Sequence, residues 1–541
     1  MATTSRAFVH HGLSRPHASN NLLLSKGGPA NDGPVFYDDF GESELNSKSE
    51  REDRMLQLQM DKAATKVKEG EIAYESKIAR NWRRGNWSVR GFALDYASQI
   101  NVSAVAAPTS AAYTDATMAQ DRALPDGRTV AVGRTDGSVF VVKVGDEYLT
   151  NFVENKRVEA EYFQYEEEDL RAPQPFEVLC DFQASEPSLG SINKILYIDD
   201  LESDSGNGVI CTSAGISGQI SVWSLPSTEN IEDGAKQVAT IGQVDSKQII
   251  SLALVTVSLN DDGVPKDLLV SVSCDGKISF FDIGGNFDEI ASCKCVEDDK
   301  IICADVSTSN DGERGGDCNI IYLGTSSGNV VGFQIKSLLK FATSDVDSVF
   351  TFPTADMKFR AHGADTGKGD AVTAIKCGGI GTIPATANLQ GRSNSDATTS
   401  SVTSKILFTG GEDGSIKQWE ILGKETSNGD LRLEHWPRMK TQRMKRRAHM
   451  FLGHSGKVTC ISQQSYFDNS KFISSGEDGT VFVWNAAKGE ELFRMDGFCN
   501  ISSLACLGRE VLVTDGMDGH VCLHDFGVEE DAASRGYELE W

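Results

Sequence analysis

The chain has 541 residues, a formal net charge of −26 at pH 7 and 12 cysteines. This excess of acidic residues excludes a protein whose whole surface coats nucleic acid. No apolar run reaches the length of about 20 residues that a membrane-spanning helix needs, and no two cysteines have CxxC spacing. We therefore expect an acidic protein without a membrane span, whose cysteines are reduced thiols of an intracellular or organellar protein.

The first 31 residues contain no Asp or Glu, although they contain two Arg, one Lys and many Ser, Thr and Ala. In so acidic a chain this composition is typical of a transit peptide. We expect residues 1–46 to be a disordered N-terminal region that directs import into an organelle, and the "MATTS" start favours the chloroplast. The alternative is an ordinary disordered tail on a protein of the cytoplasm or nucleus.

Residues 47–85 have the pattern of a mostly polar helix. Ser47 and Glu50 form a capping box, and arginines near residue 84 suit the negative end of the helix dipole. Trp82 and Trp87 close this segment and leave two interpretations open. They attach the helix end to the folded domain, or they stack on RNA bases.

From residue 130 onward the chain repeats one short pattern, a hairpin turn ending in glycine between two apolar runs. The turn glycines are Gly137, Gly218, Gly276, Gly328, Gly414, Gly479 and Gly519. The residues five positions further on are Val142, Trp223, Phe281, Phe333, Trp419, Trp484 and His524. Asp or Ser before the glycine, followed by β-branched and aromatic residues, is typical of a β-hairpin. Seven such units indicate a repeat protein.

A further apolar run precedes each hairpin, for example "INKILYI" and "KVTCISQ". Each unit therefore supplies at least three strands, and none shows a helical period. Repeated antiparallel strands without crossover helices argue against a parallel α/β sheet. They favour small sheets arranged radially, which leave few free edges.

The stretch "GHSGKVTC" followed by "FISSGEDGTVFVWN" resembles one full repeat of the WD40 family (transducin β-like). The resemblance implies an all-β, seven-bladed β-propeller over residues 87–541, with the N-terminal disordered and helical extension before it. It also implies a hydrogen-bonded tetrad inside the blade, formed here by His454, Ser474, Asp478 and Trp484.

The preceding repeat matches the tetrad at Thr409, Asp413 and Trp419. Its histidine does not fit the expected spacing, because His362 lies ten residues before Val372 and not four. In the other blades Val, Phe or His replaces the Trp, or Ser replaces the Asp. We expect those blades to be held by packing without the polar tetrad.

A propeller ring closes when strands from the two ends of the chain pair. "WSVRGFALDY" at 87–96 stands just before the first repeat and is the favoured closing strand. "YELEW" at 537–541 also alternates apolar and polar residues, so it competes for the same position.

Three segments interrupt the repeats. Residues 383–404 are polar and of low complexity, which predicts a disordered insertion. Residues 162–170 are an acidic excursion. The run "RMKTQRMKRR" is strongly basic. It is either an exposed connection that leads to an outer strand, or a functional segment that contacts phosphate and RNA or acts as a nuclear-import signal. Its basic residues are Arg438, Lys440, Arg443, Lys445, Arg446 and Arg447.

The sequence contains no GxSxG or HExxH motif, and "GADTGKGD" lacks both the glycine spacing and the hydroxyl residue of a phosphate loop. We therefore expect no catalytic, cofactor-binding or metal site and no small-molecule substrate. The favoured function is a non-catalytic scaffold for protein partners, bound through the propeller face, the loops and the N-terminal helix. It would serve the assembly of an organellar complex.

The first alternative is an RNA-associated factor, for RNA processing or ribosome-related, that uses the basic run. The second is a substrate receptor of a ubiquitin ligase. That alternative loses support because "WEIL", "WNAA" and "WSLP" lack the Trp-Asp-x-Arg sequence that such receptors carry after the third strand.

Overall fold

The computed structural model divides the chain into the units Met1–Glu71 and Ile72–Trp541. The residues that it describes all belong to the second unit. They are 76–527 except for 86, 94–99, 108–128, 145–176, 199–208, 216, 227–233, 243–246, 259–264, 308–318, 344–351, 364–370, 379–402, 426–430, 438, 441–446, 449, 464–470, 497–499, 508–510 and 516–519. The predicted transit peptide, the helix before residue 76 and the acidic excursion lie outside the described residues.

Seven antiparallel sheets form the blades of a β-propeller, so the predicted all-β fold is confirmed. Helix α1 covers 76–84, and strand β1 follows at Ser88–Ala93. Blade 1 consists of β2 to β5, Val102–Ala106, Thr129–Arg134, Ser138–Lys143 and Glu177–Gln183. Blade 2 consists of β6 to β9, Ile192–Ile198, Val209–Ala214, Ile220–Ser224 and Lys236–Ile241. Blade 3 consists of β10 to β13, Ile249–Ser258, Pro265–Ser273, Lys277–Asp282 and Asp288–Lys294.

The remaining blades follow in the same order, from the innermost strand outward. Blade 4 consists of β14 to β17, Ile301–Ser307, Ile320–Thr325, Asn329–Gln334 and Met357–Arg360, with helix α2 at Ile335–Thr343. Blade 5 consists of β18 to β21, Val372–Cys377, Thr403–Gly411, Ser415–Glu425 and Leu431–Pro437. The short strands β22 to β24 are Met439–Lys440, Arg447–Ala448 and Met450–Leu452. Blade 6 consists of β25 to β28, Val458–Ser462, Lys471–Gly476, Thr480–Asn485 and Glu490–Asp496. Blade 7 contains β29 to β31, Leu504–Leu507, Val511–Asp515 and His520–Asp525.

The core lies between neighbouring blades. Every residue of the second strands β3, β15 and β30 is buried, because a blade packs against a neighbour on both of its faces. The outer strands β5 and β28 are mostly exposed or half-buried. Between blades 5 and 6, for example, the rings of Phe408 and Phe472 lie 4.2 Å apart. The apolar runs of the sequence therefore bury most completely at the second strand.

A β-bulge in the innermost strand of blades 1 to 6 links one blade to the next. In each strand the residue after the first apolar position is left out of the pairing register. In four blades this residue is polar, and its side chain donates a hydrogen bond to a backbone carbonyl of the following blade. The four bonds are Ser103 to Ile192 (2.6 Å), Asn193 to Ile249 (2.7 Å), Thr373 to Val458 (2.6 Å) and Thr459 to Ile501 (2.5 Å).

The ring closes through the N-terminal strand, as predicted. Strand β1 pairs antiparallel with β31 over six residues, from Ser88 opposite Asp525 to Ala93 opposite His520. Blade 7 also contacts blade 1 directly, because the Val105 N–H donates to Ser503 Oγ at 3.0 Å. The competing segment "YELEW" lies outside the described residues.

Helix α1 is attached to the edge of blade 7. The Trp82 ring stacks on Phe526 with centroids 3.5 Å apart, and the indole is only 1% exposed. Asn81 Nδ2 donates to the Phe526 carbonyl at 2.8 Å, and Trp87 stacks on Phe493 at 5.2 Å. The hypothesis that Trp82 stacks on RNA bases is therefore wrong for this residue, because its ring is covered by protein. Both tryptophans attach the helix end to the propeller.

The interpretation that no unit shows a helical period is wrong for blade 4. Helix α2 lies between the third and fourth strands of blade 4 and buries Ile335, Leu338 and Leu339. These residues have the i, i+3, i+4 spacing of one helical face. They pack into the same core cluster as the outer strand of blade 3. Nine residues are too short for the period to stand out between two strands.

The two faces of the ring differ in their connections. Consecutive strands of a blade run in opposite directions. The connections between its first and second strands and between its third and fourth strands therefore lie on one face of the ring. The connections between its second and third strands, and those between one blade and the next, lie on the other face. We name the first the insertion face; its longest connections are 107–128, 144–176, 335–356 and 378–402. We name the second the turn face; its tight hairpin turns are 135–137, 274–276, 326–328, 412–414 and 477–479. The predicted insertion 383–404 belongs to the insertion face, and its last two residues already belong to strand β19.

Loss of the closing strand should open the ring. A chain that begins at residue 100 lacks α1 and β1, so it leaves the outer edge of β31 unpaired and exposes Phe526. We expect it to have a lower melting temperature than the full chain and to aggregate, because an unpaired strand edge is a template for association. A chain that begins at residue 72 keeps both elements and serves as the control. Equal melting temperatures and elution volumes for both truncated chains would show that β1 does not close the ring.

Candidate functional site

Blade 6 contains a complete polar tetrad that joins two blade connections and two strands. His454 Nε2 lies 2.8 Å from Ser474 Oγ, and His454 Nδ1 lies 3.1 Å from Asp478 Oδ1. Trp484 Nε1 donates to Ser474 Oγ at 2.8 Å. All three uncharged side chains are buried. The chain of hydrogen bonds therefore ties the blade-to-blade connection to the second strand, the hairpin turn and the third strand.

Blade 5 contains the same arrangement and uses the histidine that sequence spacing rejected. His362 Nε2 lies 3.0 Å from Thr409 Oγ1, and Trp419 Nε1 donates to that same hydroxyl at 3.0 Å. His362 Nδ1 lies 3.5 Å from Asp413 Oδ1. The doubt about His362 is therefore corrected. The connection before β18 is long, so the number of residues between His362 and Val372 does not indicate where the imidazole lies.

The tetrads keep their carboxylates ionised. Burial alone would raise the pKa of Asp478, but hydrogen bonds from the Ser455 N–H and from His454 outweigh it and lower that pKa. The pKa of Asp413 is lowered strongly in the same way, by His362 and Ser415. Burial lowers the pKa of His454 despite Asp478. A neutral imidazole donating to an anionic carboxylate is a structural hydrogen bond.

Blade 7 uses a histidine in place of the tryptophan. His524 Nε2 lies 3.2 Å from Thr514 Oγ1 and so links the second and third strands of blade 7. His524 occupies the position of Trp484 in blade 6, and Thr514 occupies the position of Ser474. The expectation that this blade is held by packing alone is therefore wrong. The ring is 9% exposed, and burial lowers the pKa of His524 to about 4.

Blade 4 lacks the tryptophan but has a different polar network around its hairpin turn. Ser326 Oγ donates to Asp299 Oδ1 at 2.7 Å, and Ser327 Oγ also donates to the Asp299 carboxylate. These hydrogen bonds outweigh burial and lower the pKa of Asp299. This network cannot be recognised in the repeat pattern, because Asp299 comes from the preceding connection and lies outside the repeated positions.

The innermost strands of blades 4 and 5 are joined by one further polar cluster. Asp305 accepts from Lys376 Nζ at 3.2 Å and from the Cys377 N–H at 2.6 Å. Asp305 raises the pKa of Lys376. Burial raises the pKa of the neighbouring Cys303 to about 12, so this thiol is protonated at neutral pH and is not an activated nucleophile. The cluster joins two blades and shows no catalytic arrangement.

Within the described ranges, no group of three or more His, Cys, Asp or Glu side chains could hold a metal ion. In the same part of the chain, no helix is long and apolar enough to cross a membrane. Cys293 and Cys295 have their sulfurs 3.6 Å apart but are buried in the core between blades 3 and 4.

The basic run interrupts the outer strand of blade 5. Strand β21 pairs with β20 up to Pro437 opposite Trp419, and β24 resumes the pairing at Met450 opposite Lys417. Between them Met439–Lys440 pairs with Arg447–Ala448 as a two-stranded ribbon. Arg438, Arg443, Lys445 and Arg446 lie outside the described residues, and of Lys440 and Arg447 only the backbone is described. The interpretation as a connection to an outer strand is confirmed for β24.

Residues 445–485 match the family model "WD domain, G-beta repeat". The matched segment runs from the end of the basic run through β24 and the tetrad of blade 6 to Asn485. No curated protein matches the chain. The family match and the seven-bladed arrangement together confirm the resemblance to WD40 repeats.

A methyl group at Gly476 should break the blade 6 tetrad. A Cβ there would lie 2.6 Å from His454 Nδ1 and 2.7 Å from Asp478 Oδ1. We expect Gly476→Ala to lower the free energy of unfolding by about 1–3 kcal/mol, as overpacking does, measured by urea denaturation. The matched control is Gly215→Ala in blade 2, where a Cβ meets only Ser191, with its carbonyl oxygen nearest at 3.2 Å. An equal loss in the two variants would contradict the account.

Acid should weaken blade 7 through His524. Burial in the folded state lowers the pKa of His524 to about 4, below the ordinary value of 6.5, so the unfolded chain binds the proton first as the pH falls. The stabilisation is fully present above pH 6.5 and is lost as the pH falls toward 4. We expect the free energy of unfolding, measured by urea denaturation, to fall by about 2 kcal/mol between pH 7 and pH 5. The variant His524→Phe has the side chain that blades 3 and 4 carry at this position, and its free energy of unfolding should depend less on pH over the same range. Parallel pH curves for the two proteins would contradict this prediction.

Proposed function

We propose that this seven-bladed β-propeller, which carries a WD40 repeat at 445–485, is a non-catalytic scaffold that brings protein partners together. WD40 propellers generally mediate protein–protein interactions. We also propose that these partners belong to a complex that is assembled in an organelle.

The difference between the two faces carries the proposal. Hydrogen bonds fix the turn face, for example at Asp413, whose carboxylate accepts from the Ser415 N–H at 3.0 Å and from its hydroxyl. The long connections of blades 1, 4 and 5 begin and end on the insertion face. Recognition segments on a rigid support are the usual design of a binding protein. The insertion face is therefore the surface that we assign to partner binding.

The ends of the propeller chain reach the same face. Strand β31 ends at Asp525, on the insertion face. Because β1 runs antiparallel to β31, Ser88 lies beside Asp525 on the same face. Helix α1 is fixed there through Trp82 and Phe526. A partner bound to the insertion face can therefore also contact helix α1.

An RNA-associated role is the second candidate, and one observation favours it. The basic run lies between β21 and β24, which both pair with the third strand of blade 5, and the backbones of Lys440 and Arg447 pair in a separate ribbon. A phosphate backbone is a suitable partner for such a basic segment. Since Trp82 is buried, this role would depend on the basic run without aromatic stacking from α1.

Chloroplast import by residues 1–46 is the corresponding proposal for localisation. The absence of acidic residues in the first 31 positions supports it. A fluorescent protein fused to residues 1–46 should enter the organelle, and a diffuse cytosolic signal would contradict the proposal.

Partner capture should depend on the insertion face. We expect tagged full-length protein, purified from its native compartment, to retain a defined set of proteins by mass spectrometry. Replacing 379–402 by a short Gly-Ser linker should remove some of them without changing the melting temperature, because both ends of this segment join strands that already pair. The matched control replaces four residues of the basic run, Arg443, Lys445, Arg446 and Arg447, by Gln, and this variant should retain the whole set of proteins.

The same proteins separate the two candidate functions. If the chain is an RNA-associated factor, single-stranded RNA should bind with an affinity that falls steeply with salt, and the four Gln substitutions should reduce that salt dependence. RNA binding of this kind, together with a protein set unchanged by the loss of 379–402, would overturn the scaffold proposal.

A further inference from the structure

Two cysteines lie side by side where the outer strand of blade 3 ends. Cys293 pairs with Ile278 near the end of β13, and the Cys295 N–H donates to the carbonyl of the hairpin glycine Gly276 at 2.9 Å. The two sulfurs are 3.6 Å apart and share a hydrogen bond. Backbone pairing with the third strand and with the hairpin turn therefore holds the two thiols next to each other.

Two other blades have apolar side chains at both of these positions. They are Phe182 and Ala184 in blade 1, and Phe359 and Ala361 in blade 4. In each blade the first residue lies opposite the residue two positions after the hairpin glycine, and the second donates its N–H to the carbonyl of that glycine. Since Phe and Ala satisfy the packing at this place in the fold, packing does not account for two thiols in blade 3.

The hydrogen bond between the sulfurs makes the two thiols unequal. It lowers the pKa of Cys293 and outweighs burial, which acts in the opposite direction. The same hydrogen bond, together with burial, raises the pKa of Cys295. Cys180 on the outer strand of blade 1 is 8% exposed, as Cys293 is, but burial raises the pKa of Cys180 to about 11. Because the thiolate is the nucleophilic form of cysteine, Cys293 is the more reactive thiol of the pair.

We propose that Cys293 and Cys295 are a redox-sensitive modification site, at which a peroxide converts the two thiols into an intramolecular disulfide. At the rise of a β-strand, about 3.4 Å per residue, Cα atoms two residues apart are separated by about 6.8 Å, which is at the upper end of the range found in disulfides. The sulfurs have to approach from 3.6 Å to about 2 Å. Rotation of the two side chains can close this distance, because both sulfurs already lie on the same side of the chain.

The site lies near the surface of the ring. Strand β13 is the outermost strand of its blade, and the residue between the two cysteines, Lys294, is exposed. Cys293 and Cys295 themselves are 8% and 6% exposed. A small oxidant such as hydrogen peroxide therefore suits this site better than a bulky one.

Hydrogen peroxide supplies both of the oxidising equivalents. The Cys293 thiolate attacks one peroxide oxygen and the O–O bond breaks. Hydroxide leaves and takes up the proton that Cys293 released, which gives water and a sulfenic acid at Cys293. The Cys295 sulfur then attacks the sulfenic sulfur and the S–O bond breaks. Hydroxide leaves with the Cys295 proton as a second water. The two thiols thus lose two electrons to the peroxide, and a dithiol reductant reverses the change by thiol–disulfide exchange.

Trypsin provides a direct readout of this disulfide. It cleaves after Lys277, Lys294 and Lys300, so the disulfide joins peptide 278–294 to peptide 295–300. The folded full-length chain is treated with hydrogen peroxide, the peroxide is removed with catalase, and the free thiols are alkylated in denaturant before digestion without reductant. We expect the joined peptides to appear by mass spectrometry while Cys180 remains alkylated. Alkylation of Cys293 and Cys295 to the same extent as Cys180, without joined peptides, would overturn the proposal.

The variant Cys295→Ala tests the order of the two steps. Alanine is the residue of blades 1 and 4 at this position, so the variant should keep the melting temperature of the unsubstituted chain. Without the second thiol the sulfenic acid at Cys293 persists, and dimedone, which labels sulfenic acids, should label Cys293 more strongly in the variant than in the unsubstituted chain. The control Cys180→Ala should give the same yield of joined peptides as the unsubstituted chain. Equal dimedone labelling with and without Cys295 would show that Cys295 does not complete a disulfide.

Discussion

The ring depends on the bulge that the innermost strand has in each of blades 1 to 6. It removes one residue from the ladder of its own blade, and that residue can then bond to the next blade. Ser103, Asn193, Thr373 and Thr459 do so with a side chain that reaches a carbonyl. Asp305 makes a comparable link from within the ladder, because its carboxylate accepts from the Cys377 N–H of blade 5. Side chains of the innermost strands therefore join neighbouring sheets of the ring.

Closure by β1 follows the same logic at the outer edge. Blade 7 has three strands of its own, and its third strand would present a free edge without Ser88–Ala93. Helix α1 adds a second attachment, since Trp82 covers Phe526 directly after β31. Both termini of the propeller are thus fixed at one place. The long connections of the insertion face can then vary in length without opening the ring, because the strands on either side of each connection pair within their own blade.

The strand content and the closing strand could be predicted from the sequence because they depend on local patterns. Hairpin glycines with the aromatic residue five positions later identify the central strands, and "WSVRGFALDY" is a strand by alternation. His362 could not be placed, because the length of a surface connection does not fix where its side chains fold back. The bulge bonds had a readable signal, a polar residue directly after the first apolar one in "NVSAV", "SINKI", "AVTAI" and "KVTCI". That signal becomes meaningful only when the blades are known to be neighbours.

Unequal polar reinforcement explains where the outer strand can be interrupted. Blades 5 and 6 carry complete tetrads, so the turn, the second strand and the third strand of each are held independently of the fourth. Strand β20 of blade 5 can then accept two partners, β21 and β24, with twelve residues inserted between them. A blade held by packing alone would lose the apolar cover of its outer strand at such a break. The basic run therefore stands at a position where the fold tolerates it, next to the two most strongly hydrogen-bonded blades.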